Sequence, residues 1–178
     1  MDLEKWQEWK NFAKNKASEI LLEVSYLYPI KAPIPIKDVI ESYKGDVNFI
    51  TKINYPFPEG VSALTTKDME IGWLMIINGR ETPERQRFSA AHELGHLVLF
   101  KNQPNNVFCS SDSSWNEKLC DLFAGYILMP EMLVRALYKS TSSPYLEDVA
   151  KTFRVSRLVA EIQLKRLSLP FQRKEKAF

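Results

Sequence analysis

Both histidines of the chain, His92 and His96, stand four positions apart in RFSAAHELGHLVLF (87–100), and Glu93 directly follows the first. On a helix each residue advances by about 100°, so the two imidazoles share one face, a turn apart, and can reach one ion. Glu93 projects to the side, where it can act on water held at that ion, and this is why an HExxH pattern suits metal-assisted hydrolysis. Gly95 lies inside the motif. Glycine costs a helix about 1 kcal/mol relative to alanine, so close approach of another backbone or helix is expected to compensate.

A catalytic zinc takes three protein ligands and leaves a fourth position open. No third histidine exists, but NEKLCDLF (116–123) offers Glu117 and Asp121, four residues apart on one helical face. Glu117 is the candidate third ligand. Asp121 is the candidate acceptor for the free ring N–H of a ligand histidine, which would fix its tautomer. Taken alone, the two carboxylates read as the polar face of an amphipathic helix; behind HExxH they read as a metal-site pair. Two imidazoles and a carboxylate suit zinc, with manganese or another divalent ion as alternatives. No histidine is left to stabilise a developing oxyanion, and Tyr126, Tyr138 and Arg135 qualify by residue type only.

The elements that must position these residues are legible as an α+β pattern. Apolar residues at helical spacing (Ala13, Ala17, Ile20, Leu21, Val24) predict a covering helix from Leu3 to about Tyr28, ending before the proline cluster YPIKAPIP. IKDVIESYKG predicts a short helix closed by Gly45, and DVNFI a strand. Two β-type runs, about 60–66 and 71–77, predict an antiparallel hairpin. The rest is helical: the HExxH helix entered at Pro83, a second helix stopped by Pro130, a third over about 131–139, and a pair meeting at RVS (154–156). Ser143 and Pro144 are the expected start of the first helix of that pair, and Ser156 the expected cap of the second.

This amounts to a small antiparallel or mixed sheet packed against a zincin-like HExxH helix, with an all-helical C-terminal part. Residues 1–140 are assigned to a peptidase-type domain, 141–170 to helix-turn-helix-like helices packed on it, and 171–178 to a flexible basic tail. A chain of 178 residues that is 45% apolar and 26% charged fits one well-filled domain. A net charge of +2 argues by itself for neither a nucleic-acid nor a membrane partner. No run approaches the roughly 18 apolar residues of a membrane span, and the N-terminus lacks a signal-peptide core, so a cytoplasmic location is expected. Cys109 and Cys120 lack a CxxC spacing and read as free thiols.

The chain resembles the ImmA/IrrE-type metallopeptidases. RQRFSAAHELGHLVLF, EKLCDLFAGYILMP and LEDVAKTFRVSRLVAEIQLKRLSL carry the likeness in that order, with PIPIKDVIES and the hairpin ending in IIN looking like the family's opening. The resemblance implies metal ligands at His92, His96 and Glu117, a general base at Glu93, and a regulatory endopeptidase that cuts a helix-turn-helix repressor. It also implies a sheet edge beside the HExxH helix that holds extended substrate, in keeping with strand addition. Two positions depart from the family's habit: Cys120 replaces alanine, and Asp121 replaces the asparagine of many members.

Residues 145–167 have the pattern of a helix-turn-helix, with Ala150, Val155, Val159, Ile162 and Leu167 as its expected inner face. Arg154 takes the place of the turn glycine. From Lys151 onward eight Lys/Arg face two Glu, so direct DNA binding is the lesser expectation, behind docking of a protein substrate. The competing reading is a non-proteolytic regulator whose metal site is structural. A structural zinc site is normally closed by four protein ligands and does not need Glu93, which favours the enzyme.

Overall fold

The long N-terminal helix, α1 (Leu3–Ser25), turns Ala13, Ala17, Ile20, Leu21 and Val24 inward and ends ahead of the proline cluster, as the periodicity requires. The computed structural model describes residues 3–43, 47–52, 55, 57–68, 70, 72–100 and 113–174. Gly45, Cys109 and the rest of 101–112 fall outside them. A short helix, α2 (Ile36–Glu41), closes at Ser42, whose N–H donates to Asp38 O.

Three strands follow: β1 (Val47–Lys52), β2 (Ala63–Asp68) and β3 (Gly72–Asn78), in the order β1-β3-β2. The hairpin expected from sequence is present, shifted a little towards the C-terminus, with Ala63 opposite Ile77 and Asp68 opposite Gly72. β1 adds in parallel on the other side of β3, from Val47 opposite Trp73 to Lys52 opposite Asn78. The sheet is therefore mixed, with β3 central and β2 an edge. β3 buries Trp73, Met75, Ile76 and Ile77, as a strand covered by neighbours on both sides tends to.

The HExxH helix, α3 (Pro83–Phe100), begins where proline needs no N–H partner and where Thr82 Oγ1 accepts from Arg85 N. Gln86 ties this end to the loop after β3, donating to Glu81 O at 2.7 Å. The next helix, α4 (Ser113–Leu128), crosses α3 closely: a Cβ on Gly95 would stand 3.2 Å from the Cys120 Cα and 3.2 Å from the Phe123 ring. That contact is the close approach the glycine implied. After Pro130 come α5 (Glu131–Tyr138), α6 (Leu146–Phe153) and α7 (Arg157–Arg166). One continuous core runs from Ala13 on α1 through Leu94, Leu119 and Phe123 to Phe153 and Leu164.

Three local expectations are corrected. Ser143 does not cap α6; the helix starts after Tyr145 without a side-chain cap, because the carbonyl of Gln172 takes the Leu146 N–H at 2.8 Å. The chain from 171 to 174 is correspondingly tied down, with Lys174 Nζ 2.8 Å from Asp148 and Arg173 2.7 Å from Glu161. Ile162 does not face inward. It is 46% exposed, and the buried face of α7 is Ala160, Gln163 and Leu164. Ser156 does cap α7, accepting from Val159 N, and Arg154 adopts the left-handed conformation (φ 50°) that a turn glycine would take more easily.

Candidate active site

α3 and α4 bring His92, His96, Glu117 and Asp121 together. The two histidine Nε2 atoms are 3.1 Å apart. Glu117 Oε2 is 3.0 Å from His92 Nε2, and its Oε1 is 3.3 Å from His96 Nε2. On the far side of the first ring, Asp121 Oδ1 lies 2.8 Å from His92 Nδ1. Each pair is local in origin: His92 and His96 are one turn apart on α3, Glu117 and Asp121 one turn apart on α4, and the Gly95 contact sets the distance between the helices.

The electrostatics describe a centre that draws positive charge. Burial pushes the His92 imidazole down, but its bonds to Asp121 and Glu117 outweigh this and hold it at about 9. His96, more deeply placed, falls to about 4, first through burial and then through the charge on His92. The bond from His92 pulls Glu117 below the ordinary carboxylate range despite burial. Glu93 is raised by burial, with the Thr65 hydroxyl and His92 acting in the other direction. Thr65 belongs to β2, so the edge strand contributes to the surroundings of the candidate base.

Cys120, to which sequence reasoning gave no functional weight, is a member of the cluster: with His92 and His96 it offers donor atoms within 4.8 Å of one another. Its place was readable in principle, three residues after Glu117 on the same helix. Burial foremost, then the carboxylates of Glu117, Glu93 and Asp121, push its thiol strongly up, which works against the thiolate a metal needs.

His92, Glu93, Glu117 and Asp121 line a cleft of about 1100 Å³. One wall includes Ser62 and Ala63 at the start of β2, and the other includes Ile162 and Arg166 of α7. Sequence reasoning missed the α7 wall. The three residues considered for an oxyanion lie elsewhere: Tyr138 donates to Pro170 O, Arg135 pairs with Glu131, and Tyr126 packs beneath Arg166.

Residues 53–165 match the sequence model of the IrrE N-terminal-like domain. The chain belongs to that family. It is a family of metallopeptidases, which implies a divalent metal and a protein substrate. Among curated proteins the chain is similar to the radiation response metalloprotease IrrE of Deinococcus radiodurans, at 29% identity over 54% of this chain and 35% of the relative. Its fold is similar to that of a solved Mycobacterium tuberculosis transcriptional regulator, with a TM-score of 0.60 and 14% identity over 93% of this chain and 52% of that one. The chain thus spans about a third of the first protein and about half of the second. Among the described residues no helix is long and apolar enough to cross a membrane.

Proposed function

We propose that this member of the family is a zinc-dependent regulatory endopeptidase, in which His92, His96 and Glu117 hold the ion, Glu93 is the general base and Asp121 orients His92. The observation that carries the reading is the convergence of donor atoms: the two histidine Nε2 atoms are 3.1 Å apart, with one carboxylate oxygen of Glu117 3.0 Å from the first and its other oxygen 3.3 Å from the second. Ligands about 2.0–2.1 Å from a tetrahedral zinc stand about 3.3 Å from one another, and these pairwise separations are of that order. With Asp121 on Nδ1 of His92, the Nε2 that faces Glu117 carries a proton at neutral pH, and a divalent ion would take that proton's place between the ring and the carboxylate. Three ligands leave a position open, as hydrolysis requires.

A divalent ion bound there would supply Lewis acidity towards a carbonyl and would acidify water. The protein's own part falls to Glu93. Partly buried, with its affinity for protons raised, it can take a proton from the attacking water and hand it to the leaving amine. The β2 edge beside it, which pairs with no further strand among the described residues, offers backbone groups to an extended peptide, which would lay the scissile bond across the cleft. Cleavage of a helix-turn-helix repressor is the substrate reading supported by the family likeness, and the radiation-response name of the Deinococcus relative agrees with a regulatory role.

The test is cleavage by zinc-loaded protein of a helix-turn-helix repressor, the one encoded beside this gene if there is one. Glu93→Gln should lower kcat/KM by about 10²–10⁴-fold while binding metal as tightly as the wild type. Undiminished cleavage by Glu93→Gln would refute the assignment of the base.

A further inference from the structure

α7 turns an uncommon face towards the cleft. Leu158, Ile162 and Arg166 recur every four residues, so they share that face, and all three line the cleft that contains His92, Glu93, Glu117 and Asp121. Leu158 is 67% exposed and Ile162 46% exposed, a strip of apolar surface with no cover among the described residues.

Arg166 is held differently from four other cations of the C-terminal part. Arg157, Lys165, Arg173 and Lys174 each pair with a carboxylate: Glu147, Glu161, Glu161 again and Asp148. Half-buried Arg166 has no carboxylate partner among the described residues. Its guanidinium lies 5.0 Å over the Tyr126 ring, and Nη1 donates to Gln163 Oε1. Gln163 is itself fixed, 1% exposed and donating from Nε2 to Met129 O at 3.1 Å. Gly125 leaves the space, since a Cβ there would stand 3.3 Å from Arg166 Nη1. An aromatic platform, a buried acceptor and a missing side chain thus aim a guanidinium into the cleft with most of its donors unused. Burial lowers its pKa, the mark of a charge that has lost water without gaining a counter-ion.

Its position sets the register. Glu117, Asp121 and Gly125 follow one another at four-residue spacing along α4, and Arg166 sits at the Gly125 level. Two turns of helix separate Glu117 from Gly125, about 12 Å, which an extended peptide at about 3.3 Å per residue covers in three or four residues. We propose that Arg166 is a specificity residue that binds the side-chain carboxylate of an Asp or Glu three or four residues from the scissile bond, with Leu158 and Ile162 receiving an apolar side chain beside it. The register rests on the peptidase reading, whereas recognition of the acid does not require cleavage.

The test is therefore a binding measurement. Full-length protein carrying Glu93→Gln is immobilised and offered a pool of random decapeptides with one fixed position, either Glu or its uncharged isostere Gln. Glu peptides should be retained about tenfold over their Gln counterparts, the difference expected of one charge-assisted bond in a partly buried site. Arg166→Gln in the same background should remove the preference, Arg166→Lys should keep part of it, and Arg166→Glu should turn it towards a fixed Lys. A melting curve for each variant establishes that it is folded, and Arg166→Lys carries the test if Arg166→Gln is not.

Equal retention of Glu and Gln peptides, no retention of either, or a preference that survives Arg166→Gln overturns the proposal. Repressor cleavage by the wild type with no such preference would remove the role of Arg166 and leave the peptidase intact. A preference lost with Arg166, accompanied by no cleavage of any repressor, would support acid recognition and count against the peptidase.

Discussion

His92 has both ring nitrogens engaged, Nδ1 by Asp121 at 2.8 Å and Nε2 by Glu117 at 3.0 Å, and the competition for the third ligand turns on this. Cys120 is near enough to be considered, but a buried thiol among three carboxylates resists ionisation, whereas Glu117 is already a carboxylate. One series of variants separates the roles, read by competition for zinc with a chromophoric chelator. Glu117→Ala should weaken binding by more than about a hundredfold, Asp121→Ala by about 10–100-fold through loss of ring orientation, and Cys120→Ala by no more than about twofold. Asp121→Asn keeps a carbonyl acceptor and should lose less than Asp121→Ala. If Cys120→Ala costs more than Glu117→Ala, the ligand set is His92, His96 and Cys120.

The α3–α4 crossing is the element on which the site depends, and Gly95 is its contact point. Gly95→Ala gains about 1 kcal/mol of helix propensity. Against this, the added methyl meets the Cα of Cys120, which cannot swing aside as a side chain would, and overpacking of this kind costs about 1–3 kcal/mol. The expected net effect is a lower Tm together with weaker zinc binding, because separating the helices moves His92 and His96 away from Glu117. A raised Tm with unchanged zinc affinity would show the crossing to be loose. This contact was foreseeable because a glycine inside a helix demands an explanation, and the carboxylate pair on α4 because same-face spacing is a local property. The α7 wall was not: periodicity groups Val159, Ile162 and Leu167 without saying which side meets the core, and the neighbours that decide it, Gly125 and Met129, lie far off in sequence. The start of α6 was misread for the same reason, since its first amide is satisfied by Gln172 from the tail. β1 was legible as a strand, but nothing local specifies a parallel partner.

At the scale of the molecule, α1 acts as a clamp behind the site. Its buried face packs on α4, the helix that carries Glu117 and Asp121, and its Lys14 crosses to Glu131 at the start of α5 at 2.8 Å. Glu131 also accepts from Arg135 at 2.7 Å, and these two bonds, that from Lys14 first, hold its carboxyl below the usual range. The sign follows from linkage: a group whose folded pKa is depressed stabilises the fold above its unfolded value, about 4.3 for glutamate, and that contribution disappears as pH falls through the folded value. Glu131→Gln should therefore melt slightly below the wild type at pH 7, by less than about 1 kcal/mol because both partners are partly exposed. The gap should close steadily as the pH drops below about 4 and should shrink in about 1 M salt at pH 7, where charges are screened within about 3 Å. Thermal melts of the two proteins across that pH range decide the matter. A gap that persists in acid and in salt would mean that Glu131 secures α1 through packing or neutral hydrogen bonds instead of charge.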